Sequence, residues 1–115
     1  MRDSGNTSNK PRIRTLTVDT DPDAGPFSVG DYAETGGIAK PGIRAGDTVT
    51  CTAMGLVANG VYTPFAAWEP HSRFWQGHAV VIANGVFDLV VVRAAGNVAP
   101  IAMPGIRWRV TFIRP

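Results

Sequence analysis

A six-residue phrase occurs twice in the chain and restricts its local folding more than any other feature. Residues 57–62 read Val-Ala-Asn-Gly-Val-Tyr, and residues 82–87 read Ile-Ala-Asn-Gly-Val-Phe. Asn-Gly between apolar residues is a strong signal for a β-hairpin, because a type I′ turn needs a positive φ at both central positions and these residues tolerate it. The sequence therefore predicts two hairpins with two-residue turns.

The second hairpin is predicted to be apolar on both faces. A two-residue turn at Asn84-Gly85 sets Ile82 opposite Phe87 and Val80 opposite Leu89 on one face. The other face then carries alanine and valine side chains with a single aspartate. A strand pair of this kind is usually buried on both sides, so we expect its own fold or another subunit to cover it.

Two other segments alternate apolar and polar residues with the period of two that a half-buried strand requires. The apolar positions are Val49, Cys51, Ala53, Ile106, Trp108, Val110 and Phe112. No segment shows a sustained period of 3.6 residues, and 13 glycines and 9 prolines supply many turns. The sequence therefore predicts an all-β fold, a small antiparallel sandwich or barrel of about six to eight strands.

The chain divides into a short polar arm and one domain. Residues 1–11 contain no apolar residue after Met1, so they cannot offset the entropy of ordering by burying apolar surface. We expect a flexible N-terminal arm there. Residues 12–115 are long enough to bury a core of their own, and we expect them to form a single β-domain.

Composition narrows the class of protein. A net charge of +2 with 17% charged residues is weak for a general nucleic-acid binder, so no specific nucleic acid is expected as a partner. No apolar run is long enough to span a bilayer, so no membrane partner is expected. Cys51 is the only cysteine and no N-terminal apolar stretch resembles a signal peptide, so we expect synthesis in a cytoplasm.

The sequence contains no recognisable catalytic or cofactor-binding set. Asp19, Asp21 and Asp23 imitate the first ligands of a calcium loop, but the glycine and closing glutamate positions do not match. His71 and His78 match no standard metal site. We therefore predict no catalytic residue, no metal and no cofactor, and expect a protein that is not an enzyme.

Aromatic and polar residues are interspersed between positions 63 and 78. Trp68 and Trp75 flank Arg73, which is the expected polar anchor of the segment. Three interpretations stay open: the segment caps one end of the β-domain, anchors a protein interface, or offers a stacking platform for a glycan or nucleic acid.

Two arginine pairs occupy alternate positions near the two ends of the predicted domain. Arg12 and Arg14 form the first pair, and Arg107 and Arg109 the second. If the terminal strands are neighbours, the four guanidinium groups would form a stripe suited to carboxylates on a partner. Otherwise each pair is simply a solvated strand face.

A polar arm, a compact Gly- and Pro-rich β-domain, sparse charge and the segment Gly-Val-Phe-Asp-Leu-Val-Val at residues 85–91 together resemble small virion structural proteins of tailed bacteriophages. The likeness is greatest to capsid decoration, or cement, proteins. The likeness is in general character and covers residues 12–115. It includes no diagnostic motif, so it implies no site residue by itself.

The resemblance implies a protein that is located in the virion and binds the major capsid protein or another virion protein. It implies a decoration protein that stabilises the capsid by binding between shell subunits, often as a homo-oligomer such as a trimer. The alternatives are a tail or fibre-attachment protein and a carbohydrate-binding β-module that uses Trp68 and Trp75. The residues predicted to bind a partner are Arg12, Arg14, Trp68, Arg73, Trp75, Arg107 and Arg109.

Overall fold

The computed structural model describes residues 12–65, 74–94 and 100–114. The predicted N-terminal arm lies outside these ranges. The described residues form nine strands: β1 Arg12–Thr20, β2 Asp23–Phe27, β3 Tyr32–Ala39, β4 Thr48–Ala58, β5 Val61–Pro64, β6 Trp75–Ala83, β7 Val86–Arg93, β8 Ile101–Met103 and β9 Ile106–Arg114. The all-β prediction is confirmed, and the nine strands are one more than the upper end of the expected number.

The strands form three antiparallel sheets. Four strands in the order β1-β9-β4-β5 make a sheet that curls into a half-barrel, three strands in the order β3-β7-β6 make a second, and β2 pairs with β8. The first and last strands, β1 and β9, pair along their whole length. Chain-distant segments therefore meet in the largest sheet.

The core lies between the inner faces of the four-stranded and three-stranded sheets. Phe87 of β7 meets Phe112 of β9 edge to face, with ring centroids 5.0 Å apart. All four apolar positions predicted on β9 are buried, with exposures of 0 to 1%. Alternation thus identified the inner face of β9 correctly, because one side of the strand packs on the opposite sheet and the other does not.

A glycine lies where β6 packs against the four-stranded sheet. A Cβ added at Gly77 of β6 would lie 2.8 Å from the ring of Trp108 and 3.1 Å from Cβ of Cys51. β6 therefore crosses over β4 and β9 with backbone, not a side chain, against the indole. A larger residue at this position would force the sheets apart or displace the buried ring.

The first hairpin has the predicted register. Val57 lies opposite Tyr62, and the turn residues Asn59 and Gly60 have φ values of 51° and 76°. Both central residues are thus in the left-handed region that a type I′ turn requires. The strand that follows is only four residues long and ends at Pro64, as expected of a residue without a ladder donor.

The second hairpin departs from the predicted register. Ala83 lies opposite Val86, but an irregularity at Ile82 shifts the ladder, so that Val81 faces Phe87 and Val80 faces Asp88. The predicted pairs of Ile82 with Phe87 and Val80 with Leu89 are therefore wrong. The extra residue puts Val80 and Ile82 on the outer face of the sheet, where they are 58% and 53% exposed.

Contacts from outside the hairpin explain the different turn. Gly85 has a φ of 82°, while Asn84 is not in the left-handed region, so the turn is not type I′. Gly85 N–H donates to the carbonyl of Ile43, and Gly85 C=O accepts from the N–H of Lys40, each at 2.9 Å. The loop between β3 and β4 therefore holds the turn, and tertiary bonding overrides the local preference.

Candidate functional site

The outer side of the β3-β7-β6 sheet carries an apolar surface that no described element covers. Residues paired across an antiparallel sheet face the same side, and the observed register places six apolar side chains together there. We call this surface the outer apolar face. Its residues are Tyr32, Val80, Ile82, Val86, Val90 and Val92.

Exposure separates the outer apolar face from the core. Side chains alternate along β7, so that Phe87, Leu89 and Val91 are at most 1% exposed while the residues between them are partly exposed. On the neighbouring strands Tyr32 is 64% and Val80 58% exposed. The prediction that apolar residues occupy both faces of this hairpin is confirmed, but the described fold buries only one face.

Three ionisable residues lie among the apolar ones. Glu34 lies opposite Val90, which lies opposite His78, so these side chains form one row across the face. Asp88 lies opposite Val80, and its Oδ1 accepts a 2.9 Å hydrogen bond from the N–H of Gly37. The acidic side chains offer a partner polar contacts within an otherwise apolar surface, and the hydrogen bond from Gly37 holds the carboxylate of Asp88 in place.

Trp75 does not lie on the surface. It is 1% exposed and packs edge to face on Phe27, with ring centroids 5.7 Å apart. An indole buried in this way cannot stack on a sugar ring, so the carbohydrate-binding alternative loses one of its two tryptophans. Trp68 and Arg73, the other predicted residues of this segment, lie outside the described residues.

The four predicted arginines do not form one stripe. The terminal strands are neighbours, but Arg12 and Arg14 share the inner side of the sheet with Leu16, while Arg107 and Arg109 project from the outer side of β9. Each pair also lies near a different end of the strand pair. The stripe hypothesis is therefore wrong in its geometry, although the role of each arginine in binding a partner stays a prediction.

Arg107 is engaged within the domain. Its Nε and Nη2 donate to the two carboxylate oxygens of Asp19 at 2.8 and 3.0 Å, and its guanidinium carbon lies 4.4 Å from the ring centroid of Tyr62. The hydrogen bonds from Arg107 lower the pKa of the Asp19 carboxyl and raise the pKa of Arg107. Arg109, opposite Thr17, is the more exposed member of the pair.

Arg12 and Arg14 lie beside two arginines that the sequence reasoning did not single out. Arg12 is the direct cross-strand neighbour of Arg114, and both line a pocket together with Arg14 and the loop residue Arg44. The signal that would have found this group is the pairing of β1 with β9. That pairing joins residues 102 positions apart at this end, so no local pattern reports it.

Cys51 lies in a cleft of about 380 Å³ between β4 and β6. Trp75, His78 and Trp108 also line this cleft. Burial raises the pKa of the Cys51 thiol to about 11, so the thiol is protonated near neutral pH. This environment is the opposite of the electropositive one that makes a cysteine nucleophilic.

Within the described part of the chain, no three His, Cys, Asp or Glu side chains converge as metal ligands would. Those residues also include no helix that is long and apolar enough to cross a membrane. Comparisons of the chain with protein-family models, with curated proteins and with solved structures find no match.

Proposed function

We propose that this chain is a non-enzymatic virion structural protein that decorates and stabilises a capsid by binding between shell subunits. The observation that carries the proposal is the outer apolar face, on which Tyr32, Val80 and Ile82 are each more than half exposed. Contiguous apolar surface of this kind marks protein interaction sites. The resemblance to tailed-phage decoration proteins names the class of partner.

Chemistry of the face suits a protein partner better than a small substrate. The surface is a sheet face, not a cleft, and its ionisable residues Glu34, His78 and Asp88 lie among valines. Interfaces have this composition, with an apolar centre and a few oriented polar groups. A partner that covers the valines and presents a cation or amide donors to the two carboxylates would match it.

The first test asks whether the protein is bound to particles. Virus particles are collected from cells that produce this protein and are banded on a density gradient. Mass spectrometry then measures the copy ratio of this chain to the major shell protein. Banding at a fixed, high ratio supports capsid decoration. A fixed, low ratio moves the protein to the tail or a vertex, and recovery only among unassembled proteins overturns the proposal.

The second test asks whether the outer apolar face is the binding surface. Val80→Lys adds a charge within this face that binding would have to desolvate, and residue 80 lies opposite Asp88, so we expect the folded domain to tolerate the ammonium. Val61→Lys is the control, since Val61 is 64% exposed on the other sheet. We expect Val80→Lys to weaken particle binding at least about tenfold and Val61→Lys to leave it unchanged.

The same pair of variants tests self-association. If copies of the chain also bind one another through this face, light scattering after size exclusion will show an oligomer for the wild type and for Val61→Lys, and a monomer for Val80→Lys. Equal masses for all three proteins would place any homo-oligomer contact elsewhere.

A further inference from the structure

Four arginines surround a pocket of about 330 Å³ at one end of the domain. The pocket lies between the start of β1, the end of β9, the β3–β4 loop and the β6–β7 turn. We call it the arginine pocket. Residues that line it include Arg12, Arg14, Gly42, Arg44, Asn84 and Arg114.

Strand register forces two of these arginines together. Arg12 lies directly opposite Arg114 in the β1–β9 ladder, so their side chains project from the same side of the sheet. Like charges at directly opposed positions are destabilising. Arg14 is the next residue on that side of β1 and adds a third positive charge.

The guanidinium groups of two arginines lie next to Gly42. A Cβ at Gly42 would lie 2.7 Å from Cζ and 2.9 Å from Nε of Arg14, and Nη2 of Arg114 donates a 2.5 Å hydrogen bond to the carbonyl of Gly42. The guanidinium groups of Arg14 and Arg114 therefore both lie against Gly42.

Negative charge near the pocket is sparse. Asp47 is bound to Arg114 Nε at 3.3 Å and accepts from the N–H of Arg44 at 2.9 Å; this backbone bond is the main cause that lowers the pKa of its carboxyl. No residue lining the pocket is an Asp or Glu. Four positive charges thus meet one carboxylate in a chain whose net charge is only +2.

Donor capacity is also unused. Nε of Arg14 is buried and makes no hydrogen bond to any group within residues 12–65, 74–94 and 100–114. Asn84 Oδ1 accepts from the N–H of Ala45, so the amide nitrogen of Asn84 is the group that can donate. A buried donor without an acceptor is costly to the fold, and an oxyanion in the pocket would supply the acceptor.

We propose that the arginine pocket binds a phosphate dianion, either inorganic phosphate or the terminal phosphate of a monoester. Guanidinium groups match the oxygens of phosphate in paired hydrogen bonds. A dianion offsets more of the local positive charge than a single carboxylate does. None of the residues that line this site belongs to the outer apolar face, and the proposal does not depend on the proposed function.

The test is a calorimetric titration of the full chain with inorganic phosphate at low ionic strength and about pH 7.5, where phosphate is mainly a dianion. We expect saturable binding at one site. Arg44→Gln, an exposed loop substitution, and Arg14→Gln should each weaken binding by about tenfold or more, the effect of losing a hydrogen bond between charged groups.

The control is Arg109→Gln, which removes the same charge from the outer side of β9. It should leave the affinity unchanged. Circular dichroism establishes that each variant is folded, and Arg44→Gln carries the test if Arg14→Gln is not. Binding that does not saturate, or an equal loss in Arg109→Gln, would overturn the proposal.

Two further measurements distinguish the form of the ligand. Lowering the pH to about 5 converts phosphate to the monoanion while the arginines stay charged, so affinity should fall. Glycerol phosphate, a monoester, should compete with inorganic phosphate, whereas a dinucleotide with only a diester linkage should not. If the diester bound as tightly as the monoester, the pocket would recognise a nucleic-acid backbone. That result would contradict the proposal.

Discussion

The indole Nε1 of Trp108 donates a 3.0 Å hydrogen bond to Oγ1 of Thr20, across the pair formed by the first and last strands. The same hydroxyl donates to the carbonyl of Ile106 at 3.3 Å. Thr20 is 5% and Trp108 1% exposed, so water cannot replace either bond. One hydroxyl therefore satisfies two buried polar groups where β1 meets the core.

The first prediction concerns this hydroxyl. Thr20→Val keeps the shape of the side chain but leaves the indole N–H of Trp108 without an acceptor, so we expect the free energy of unfolding to fall by about 1 to 3 kcal/mol. Urea denaturation measures it. Thr17→Val on the same strand is exposed and should change stability by about 0.5 kcal/mol or less. Equal effects of the two variants would contradict this role for Thr20.

The second prediction concerns Gly77, where the two sheets touch. Gly77→Ala places a Cβ 2.8 Å from the buried ring of Trp108, and we expect a loss of roughly 1 to 3 kcal/mol in unfolding free energy from overpacking. Gly36→Ala is the control, because its nearest neighbour is the carboxylate Oδ1 of Asp88 at 3.2 Å, which can move. A stable Gly77→Ala protein would mean that the sheets separate easily.

The third prediction is a loss of stability in acid. Hydrogen bonds from Arg107 hold the pKa of Asp19 below 3.8, so the unfolded chain takes up this proton first as pH falls. The stabilisation is therefore present above about pH 3.8 and is lost as pH falls through the lowered pKa of the folded state. Unfolding free energies of wild type and Asp19→Asn should converge as the pH is lowered.

The size of this effect is limited by solvent. The side chains of Arg107 and Asp19 are 31% and 43% exposed, so a double-mutant cycle with Arg107→Gln and Asp19→Asn should give only a small favourable coupling at neutral pH. The coupling should decrease with added salt. A coupling that is independent of pH would rule out the ion pair as its source.

The fourth prediction concerns the Cys51 thiol. With a pKa of about 11, it should react with iodoacetamide about a hundredfold more slowly at pH 8 than the unfolded chain does. The rate in the folded protein should keep rising with pH beyond 9. A plateau below pH 9 would show a thiol that ionises as an exposed one does.

Local patterns predicted the parts of the fold that depend on neighbouring residues. The alternation in β9 identified Ile106 and Phe112 as core, and the Asn-Gly turn at residue 59 gave the correct register of the first hairpin. At Asn84 the same dipeptide predicted the wrong register, because hydrogen bonds from the β3–β4 loop set the conformation of the second turn. Local propensity therefore decides the conformation of a turn only where no tertiary hydrogen bonds compete with it.

Features that depend on distant strands could not be read from the sequence. Trp75 lies in a segment of interspersed aromatic and polar residues, which is typical of a binding surface. Its side chain nevertheless packs on Phe27 of β2. The arginine pocket exists because β1 pairs with β9 and because Gly42 lies against Arg14. Neither relationship produces a periodic pattern in the amino-acid sequence. The outer apolar face was visible in the sequence as valines, but which valines it presents depended on the irregularity at Ile82.

The pairing of β1 with β9 has a consequence for how the protein is made. Among the described strands β1 has β9 as its only ladder partner, so on the ribosome it cannot form this pair until residues 106–114 have emerged. Contacts of such long sequence separation form slowly. During that interval the growing chain has unpaired strand edges, and such edges favour aggregation with other nascent chains.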